Sequence, residues 1–429
     1  MKGIWATGRG AGQWLTGRAG WCLGVSLALH VLAVLTHPTD PLDLRVYREA
    51  APHVLSGGLY DYALWTVPPI PRLPFTYPPF AALLFLPLAH LPWTVLVALW
   101  QTLSVAALLV VAGCAVRLLG PRPGDDRLRE RVLLWAAAGL WLEPVRHTLD
   151  QGQVNLLLGA VVLWALTVPR AAAGRGAGVG LAASVKLTPA VGGLYLLATR
   201  QWRAAAWAVA TAAAAAVLAW CVAPHESARY WSALVTDTRR VGPVWSVRNQ
   251  SLHGALGRLL GQDTAVSTVL CAVVLALVTA AAAWAVRAAV RRHDPLGVLV
   301  AVELYGLLVC PVSWSHHWIW CLPAMIWLAH GPLGQRPLSR IALGLWALVT
   351  VGRLVPALIR IEDQQVHPGV QPGAYPALLA WPGCVYAGCA VLTLVVIARG
   401  TAGRGGQGAA LGGVPRRRRA DVPSGRGPG

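Results

Sequence analysis

Asp43 is the residue on which chemistry is most readily built. It lies in DLRVY (43–47), shortly after the first apolar run. A carboxylate near a membrane surface can take the proton of a sugar hydroxyl as a general base. Arg45 and Arg48 follow it, and guanidinium forks can hold phosphate oxygens. The plainer alternative is a solvated loop acid paired with those arginines. Its neighbours read as local. Asp40 precedes a proline and fits a turn or cap, and Asp61 in GLYDY fits a turn. These residues belong to one stretch, 37–79, which collects four of the seventeen acidic residues: Asp40, Asp43, Glu49 and Asp61.

Six other groups could do chemistry. SWSHHW (313–318) sets His316 and His317 between tryptophans. Imidazoles there could bind a phosphate or a sugar, or cap a helix end. Adjacent histidines point to different helix faces, which disfavours one metal held by both. Lys186 is the only lysine besides Lys2 and sits in an apolar segment. An intramembrane cation is functional by default, and a phosphate ligand fits, with snorkelling to the surface as the alternative. In DQGQVN (150–155), Gln153 and Asn155 can hydrogen-bond hydroxyls, and Asp150 is either a second acid or a helix cap. VRNQS (247–251) offers Arg248, Asn249 and Gln250 for a ligand, although Asn249-Gln250-Ser251 also matches a glycosylation pattern. FTYPPF (75–80) is an aromatic platform for a sugar face or a prenyl chain, or an interfacial belt. Tyr47, Tyr77, Gln153, Asn155, Asn249 and Gln250 form the candidate sugar- and acceptor-binding set. Glu303, in a later apolar run, is either a buried ion-pair partner or a coupling acid.

The elements that must position these groups are membrane helices. The chain has 429 residues, 56% hydrophobic and 12% charged, with a mean hydropathy of +0.55. Soluble domains are about a quarter charged. The length suits about ten crossings of about 20 residues each. The net charge of +19 is almost entirely arginine. Its placement between apolar runs points to topology and anionic headgroups, not nucleic acid. The eight cysteines lie mostly in apolar runs without a CxxC pair, so they read as small hydrophobes. There is no Walker loop, no GxGxxG after a strand and no HExxH. Soluble nucleotide chemistry is unsupported, and the donor should be lipid-borne.

In order, residues 1–20 form a cytoplasmic N-terminus and 21–36 a retained first span. The loop 37–79 then lies outside. Residues 80–92, broken by Pro87 and Pro92, are too short to cross, and 93–118 return. A hairpin of spans near 132–146 and 153–168 puts its turn, 146–155, outside. Arginines flank 177–198 on both sides, and Pro189 breaks it near Lys186. A re-entrant pair of half-helices satisfies both ends. Later spans are 203–222, 266–288, 296–312, 317–330, 341–357 and 378–398, with a second long outer loop at 223–264. The tail 399–429 is basic, rich in Gly and Pro, and expected to be disordered and cytoplasmic. Both termini fall inside a plasma membrane, and every chemically rich stretch falls outside.

DLRVYREA, GLYDY, FTYPPFAALLFLPLA, GQVNLLL, ASVKLTPA, RNQSLHG and SWSHHW occur in that order. As an ordered set they resemble glycosyltransferase family 87, the polyprenol-phosphate-mannose-dependent alpha-mannosyltransferases of actinobacterial type. The resemblance covers about residues 20–398. It implies an all-α polytopic membrane protein of the GT-C-like lipid-sugar glycosyltransferase class. It implies an extracytoplasmic active site, a polyprenyl-phosphate mannose donor, a glycolipid or glycan acceptor, and inversion at the anomeric carbon. Asp43 occupies the place of the family's base in the first outer loop. His316 and His317 match the donor-phosphate histidines, and Lys186 and Asn249 stand as binding residues. Arg45 joins the donor-phosphate set on its guanidinium alone. The insert LWTVPPIPRLP (64–74) lengthens the first outer loop beyond the family's simpler form. The scheme requires no metal and no other cofactor. A transporter or flippase of lipid-linked sugars would suit the broken 177–198 segment and Glu303, but there is no internal repeat. A scaffold for envelope assembly would leave Asp43, Lys186 and SWSHHW unexplained.

Overall fold

A computed structural model describes residues 8–37, 39–66, 72–120, 127–260, 265–365 and 375–401. The expectations for the first seven residues, the tip of the 64–74 insert, the end of the 223–264 loop and the tail from 402 lie outside the described residues. The described chain is helical, with one two-stranded sheet. Five helices are long and apolar enough to cross a bilayer: Arg18–Thr36, Trp93–Leu118, Trp202–Val222, Ser267–Arg291 and Ala377–Ala398. Two bent pairs raise the number to seven, and Pro79–His90, Thr188–Ala198 and Pro295–Val309 are shorter apolar helices. This is a helical membrane protein, in which backbone groups are satisfied within each helix.

The expected 132–146 and 153–168 hairpin differs in form. Helix Leu128–Gly139 ends early, and a separate helix, Glu143–Gln151, follows. Pro144 at its first turn cannot sit inside a continuing helix. Gly152 stops it in the left-handed conformation, at φ 63°. Glu143–Gln151 then meets Asn155–Thr167 at 118°, so the supposed turn is a helix ending in a sharp corner.

The 37–79 stretch is also ordered. Helix Leu42–Ala50 starts after Pro41, carries Asp43 in its first turn, and buries Leu44, Val46, Tyr47 and Ala50. A carboxylate is favourable at that positive end of the helix dipole. The insert begins and ends as an antiparallel ladder pairing Ala63 with Pro74 and Leu64 with Leu73.

Helix Ala172–Val185 packs closely on Trp202–Val222. A Cβ on Gly176 would lie 2.1 Å from Ala204 O, and one on Gly180 2.3 Å from Ala208 O. This four-residue glycine spacing brings the two backbones together and fixes the helix whose end presents Lys186. Behind the histidine segment, Trp318, Trp346 and Tyr386 form an aromatic cluster with centroids 5.6–6.2 Å apart.

The polar stretches touch one another. Gly58 N donates to Glu226 Oε1 at 2.7 Å. Gln250 N donates to Ser313 O at 2.9 Å, and Ser315 N to Arg248 O at 3.0 Å. Arg248 grips both oxygens of Asp363 at 2.9 and 2.8 Å, while Ser246 Oγ donates to Glu362 Oε2 at 2.9 Å.

Candidate active site

Asp43 and Tyr47 stand four residues apart, so both project from one face of helix Leu42–Ala50. Tyr47 is fully buried, stacked on Phe85 with centroids 4.6 Å apart. Its phenol and that of Tyr77 donate to Gln153 Oε1 at 2.6 and 2.8 Å. Val154 N donates to the same oxygen at 3.0 Å. With its carbonyl so occupied, the Gln153 amide must turn its NH2 toward Asp43, and Nε2 donates to Oδ2 at 3.0 Å.

Gly152 makes this approach possible. A Cβ there would lie 2.6 Å from Leu44 Cβ and 3.0 Å from Pro41 Cβ. Burial pushes the half-buried Asp43 carboxyl up to about 6, against the opposing pulls of Lys186, His147 and the Gln153 hydrogen bond. Burial raises Tyr47 and Tyr77 as well, so both phenols stay protonated donors.

Beyond the corner stands a cationic half. Lys186 is at the extended residue that ends helix Ala172–Val185. Its ammonium donates to Asn155 Oδ1 at 2.8 Å and to His317 Nε2 at 3.1 Å, and lies 5.4 Å from the Tyr77 ring centroid. A lysine has no acceptor, so His317 accepts at Nε2 and carries its proton on Nδ1. Asn155 Nδ2 donates to His316 O at 2.9 Å, fixing the histidine segment Ser315–Trp320. Both ring nitrogens of buried His316 lack a partner. Buried polar groups are normally bonded, so His316 is a ready contact for a polar ligand.

The fold thus gathers Asp43, Tyr47, Tyr77, Gln153, Asn155, Lys186, His316 and His317. Arg45 lies elsewhere on its helix, bonded to Asp40 at 2.9 Å and 5.1 Å from the Trp93 ring centroid. Asn249 and Gln250 are fully buried and internally engaged. Asn249 Nδ2 donates to Val244 O and Pro311 O, and its Oδ1 accepts from Ser251 N and Ser313 N. Gln250 donates to Val247 O and Gly383 O and accepts from Tyr386 N. These amides join the 244–251 loop to 311–313 and the last span. Asp61 pairs with Arg229 at 2.6 Å. Asp150 lies in the last turn of its helix, and no side chain caps the next one.

Sequence reasoning missed His147. Its Nδ1 lies 2.7 Å from Ser315 Oγ and 3.4 Å from Glu143 Oε1, and its ring centroid is 4.9 Å from that of His316. Tyr386 in turn donates to Glu143. The spacing Glu143, His147, Asp150 was the available signal, since it marks one polar helix face.

A sequence model of glycosyltransferase family 87 matches residues 75–313. A protein from Mycolicibacterium smegmatis is 40% identical over 367 residues, covering 85% of this chain and 86% of its own. One from Mycobacterium tuberculosis is 40% identical over 359 residues, covering 83% and 81%. Both are named polyprenol-phosphate-mannose-dependent alpha-(1-2)-phosphatidylinositol pentamannoside mannosyltransferase. A second Mycobacterium tuberculosis protein, named as the phosphatidylinositol mannoside mannosyltransferase of the same dependence and linkage, is 37% identical over 360 residues, covering 79% and 82%. No solved structure matches the chain.

Proposed function

Because the chain belongs to glycosyltransferase family 87, we propose that it moves mannose from a polyprenyl phosphate to a hydroxyl of a mannosylated phosphatidylinositol. The observation that carries this reading is one carboxylate held by Gln153 beside one ammonium held by Asn155. In the proposed reaction, Asp43 removes the acceptor hydroxyl proton. The acceptor oxygen forms its bond to the anomeric carbon as the bond from that carbon to the phosphate oxygen breaks. The attack is in line and inverts the centre. The electron pair leaves with the polyprenyl phosphate, whose charge Lys186 and the His316 and His317 imidazoles stabilise as preorganised donors. Gln153, Tyr47 and Tyr77 keep Asp43 aimed.

The bundle is read as GT-C-like with about ten crossings, the shorter apolar helices completing the count. Arginine placement supports a site on the outer face with both termini inside. Asn249 and Gln250 are read as positioning residues for the histidine segment, and Arg45 as an outer phosphate contact during donor entry.

The test is transfer from radiolabelled polyprenyl-phosphate mannose to a phosphatidylinositol mannoside in membranes. Native protein transfers label, and Asp43→Asn transfers it at least about 100-fold more slowly. Transfer by that variant at close to the native rate would remove the base assignment. For topology, Ser56→Cys in a background of silenced native cysteines labels from outside, and exclusive labelling from inside would overturn the arrangement.

A further inference from the structure

The outer flank of helix Glu143–Gln151 opens on a cavity of about 210 Å³ that the proposed reaction does not use. Arg146, Arg353 and Arg360 line it together with Glu143, His147 and Asp150. Among the described residues, none of the three guanidiniums makes an ion pair or a hydrogen bond. Arg146 rests on Trp141, 5.2 Å from its ring centroid, with its Nε buried and unpartnered. Arg353 is held in a left-handed backbone at φ 53°, at the 46° bend between Pro337–Val351 and Leu354–Gln364. Such backbone strain in a non-glycine residue concentrates at functional sites. The remaining wall is apolar, from Pro356 and Ile359.

This lining selects its ligand. A phosphate would meet the guanidiniums but also the Glu143 and Asp150 carboxylates, a like-charge contact taken partly out of water. A sugar hydroxyl accepts from a guanidinium and donates to a carboxylate, so it suits both. The apolar wall suits the C–H face of a pyranose ring. The volume equals the share of about seven waters, enough for one hexose. His147 joins the cavity to the reaction site, since its ring centroid lies 4.9 Å from that of His316.

We propose that this cavity is a hexose subsite that holds the acceptor sugar next to the one attacked. Arg353, Arg360 and Asp150 read its hydroxyls there. The inference rests on the transferase reading above. It makes the enzyme selective for acceptors of at least two sugars.

The experiment compares octyl α-mannoside with the corresponding dimannoside as acceptors for the full chain in nanodiscs. Native protein favours the dimannoside in kcat/KM. In Arg353→Gln and Arg360→Gln that preference falls about tenfold, the loss expected for one charge-assisted hydrogen bond. An unchanged preference, or equal losses on both acceptors, would overturn the subsite. A raised KM for the polyprenyl-phosphate donor alone would mark a phosphate pocket and overturn it as well. If native protein transfers mannose to neither acceptor, the transferase reading fails. Equilibrium binding of the dimannoside then decides the cavity by itself. Binding to native protein that weakens in both variants supports it, and no binding to native protein overturns it.

Discussion

Gln153 binds Asp43 with one end of its amide and the Tyr47 and Tyr77 phenols with the other. The carboxylate is therefore aimed by a residue that is itself locked in orientation. In Gln153→Glu a second carboxylate would face Asp43. Like charges oppose ionisation, so the acid limb of the pH–rate profile moves to higher pH and kcat falls. A profile with an unmoved limb would separate Gln153 from the base.

Asp43→Asn keeps the shape and removes the base. The expected drop in kcat is about 10²- to 10⁴-fold. The same substitution should raise thermal stability at neutral pH. The folded carboxyl is raised from 3.8 to about 6, so its stabilising contribution is full below the unfolded value. That contribution is lost as pH rises through the folded one. The asparagine variant does not suffer that loss. Thermal melts at pH 7 beside initial rates check both parts.

For the native protein, kcat/KM should climb with pH through about 6 and level above it, because the base must be ionised to act. Lys186 pulls that value down. Lys186→Met should thus shift the limb to higher pH and raise the donor KM together. A raised KM with an unmoved limb would leave Lys186 a donor contact with no hold on the base.

Gly152→Ala puts a methyl group 2.6 Å from Leu44 Cβ, on a backbone with positive φ. Overpacking of this kind costs about 1–3 kcal/mol, and Gln153 is the next residue along. Both the melting temperature and kcat should fall. A loss of kcat greater than the loss of folded protein would show that the carboxylate has been misaimed.

What the sequence revealed was polarity out of place. Lys186, Gln153, Asn155 and the paired histidines stand out because they sit within or at the ends of apolar runs, Asp43 because acids are few and four fall in one stretch, and the fold brings them together. Asn249 and Gln250 stand out for the same reason, yet their amides bind the chain's own backbone. Composition cannot tell an amide that serves a ligand from one that serves a loop. For His147 the sequence offered only a polar helix face, because its contact is with Ser315, 168 residues away. The span count was hard to read because helices stop at Gly139, Gly152 and Arg353 inside stretches whose hydropathy continues.

Gln153 lies in the three-residue break of the 118° corner and Asn155 opens the helix beyond it, with one residue between them. The carboxylate's partner and the ammonium's partner are thereby parts of a single joint. Any ligand that draws on the Lys186 ammonium also alters how tightly Asp43 keeps its proton, and reciprocity makes acidity alter the affinity for that ligand by the same factor. Donor occupancy and readiness of the base are thus one equilibrium: a phosphate that neutralises the ammonium strengthens Asp43's hold on its proton, so the loaded enzyme ionises its base at a higher pH than the empty one.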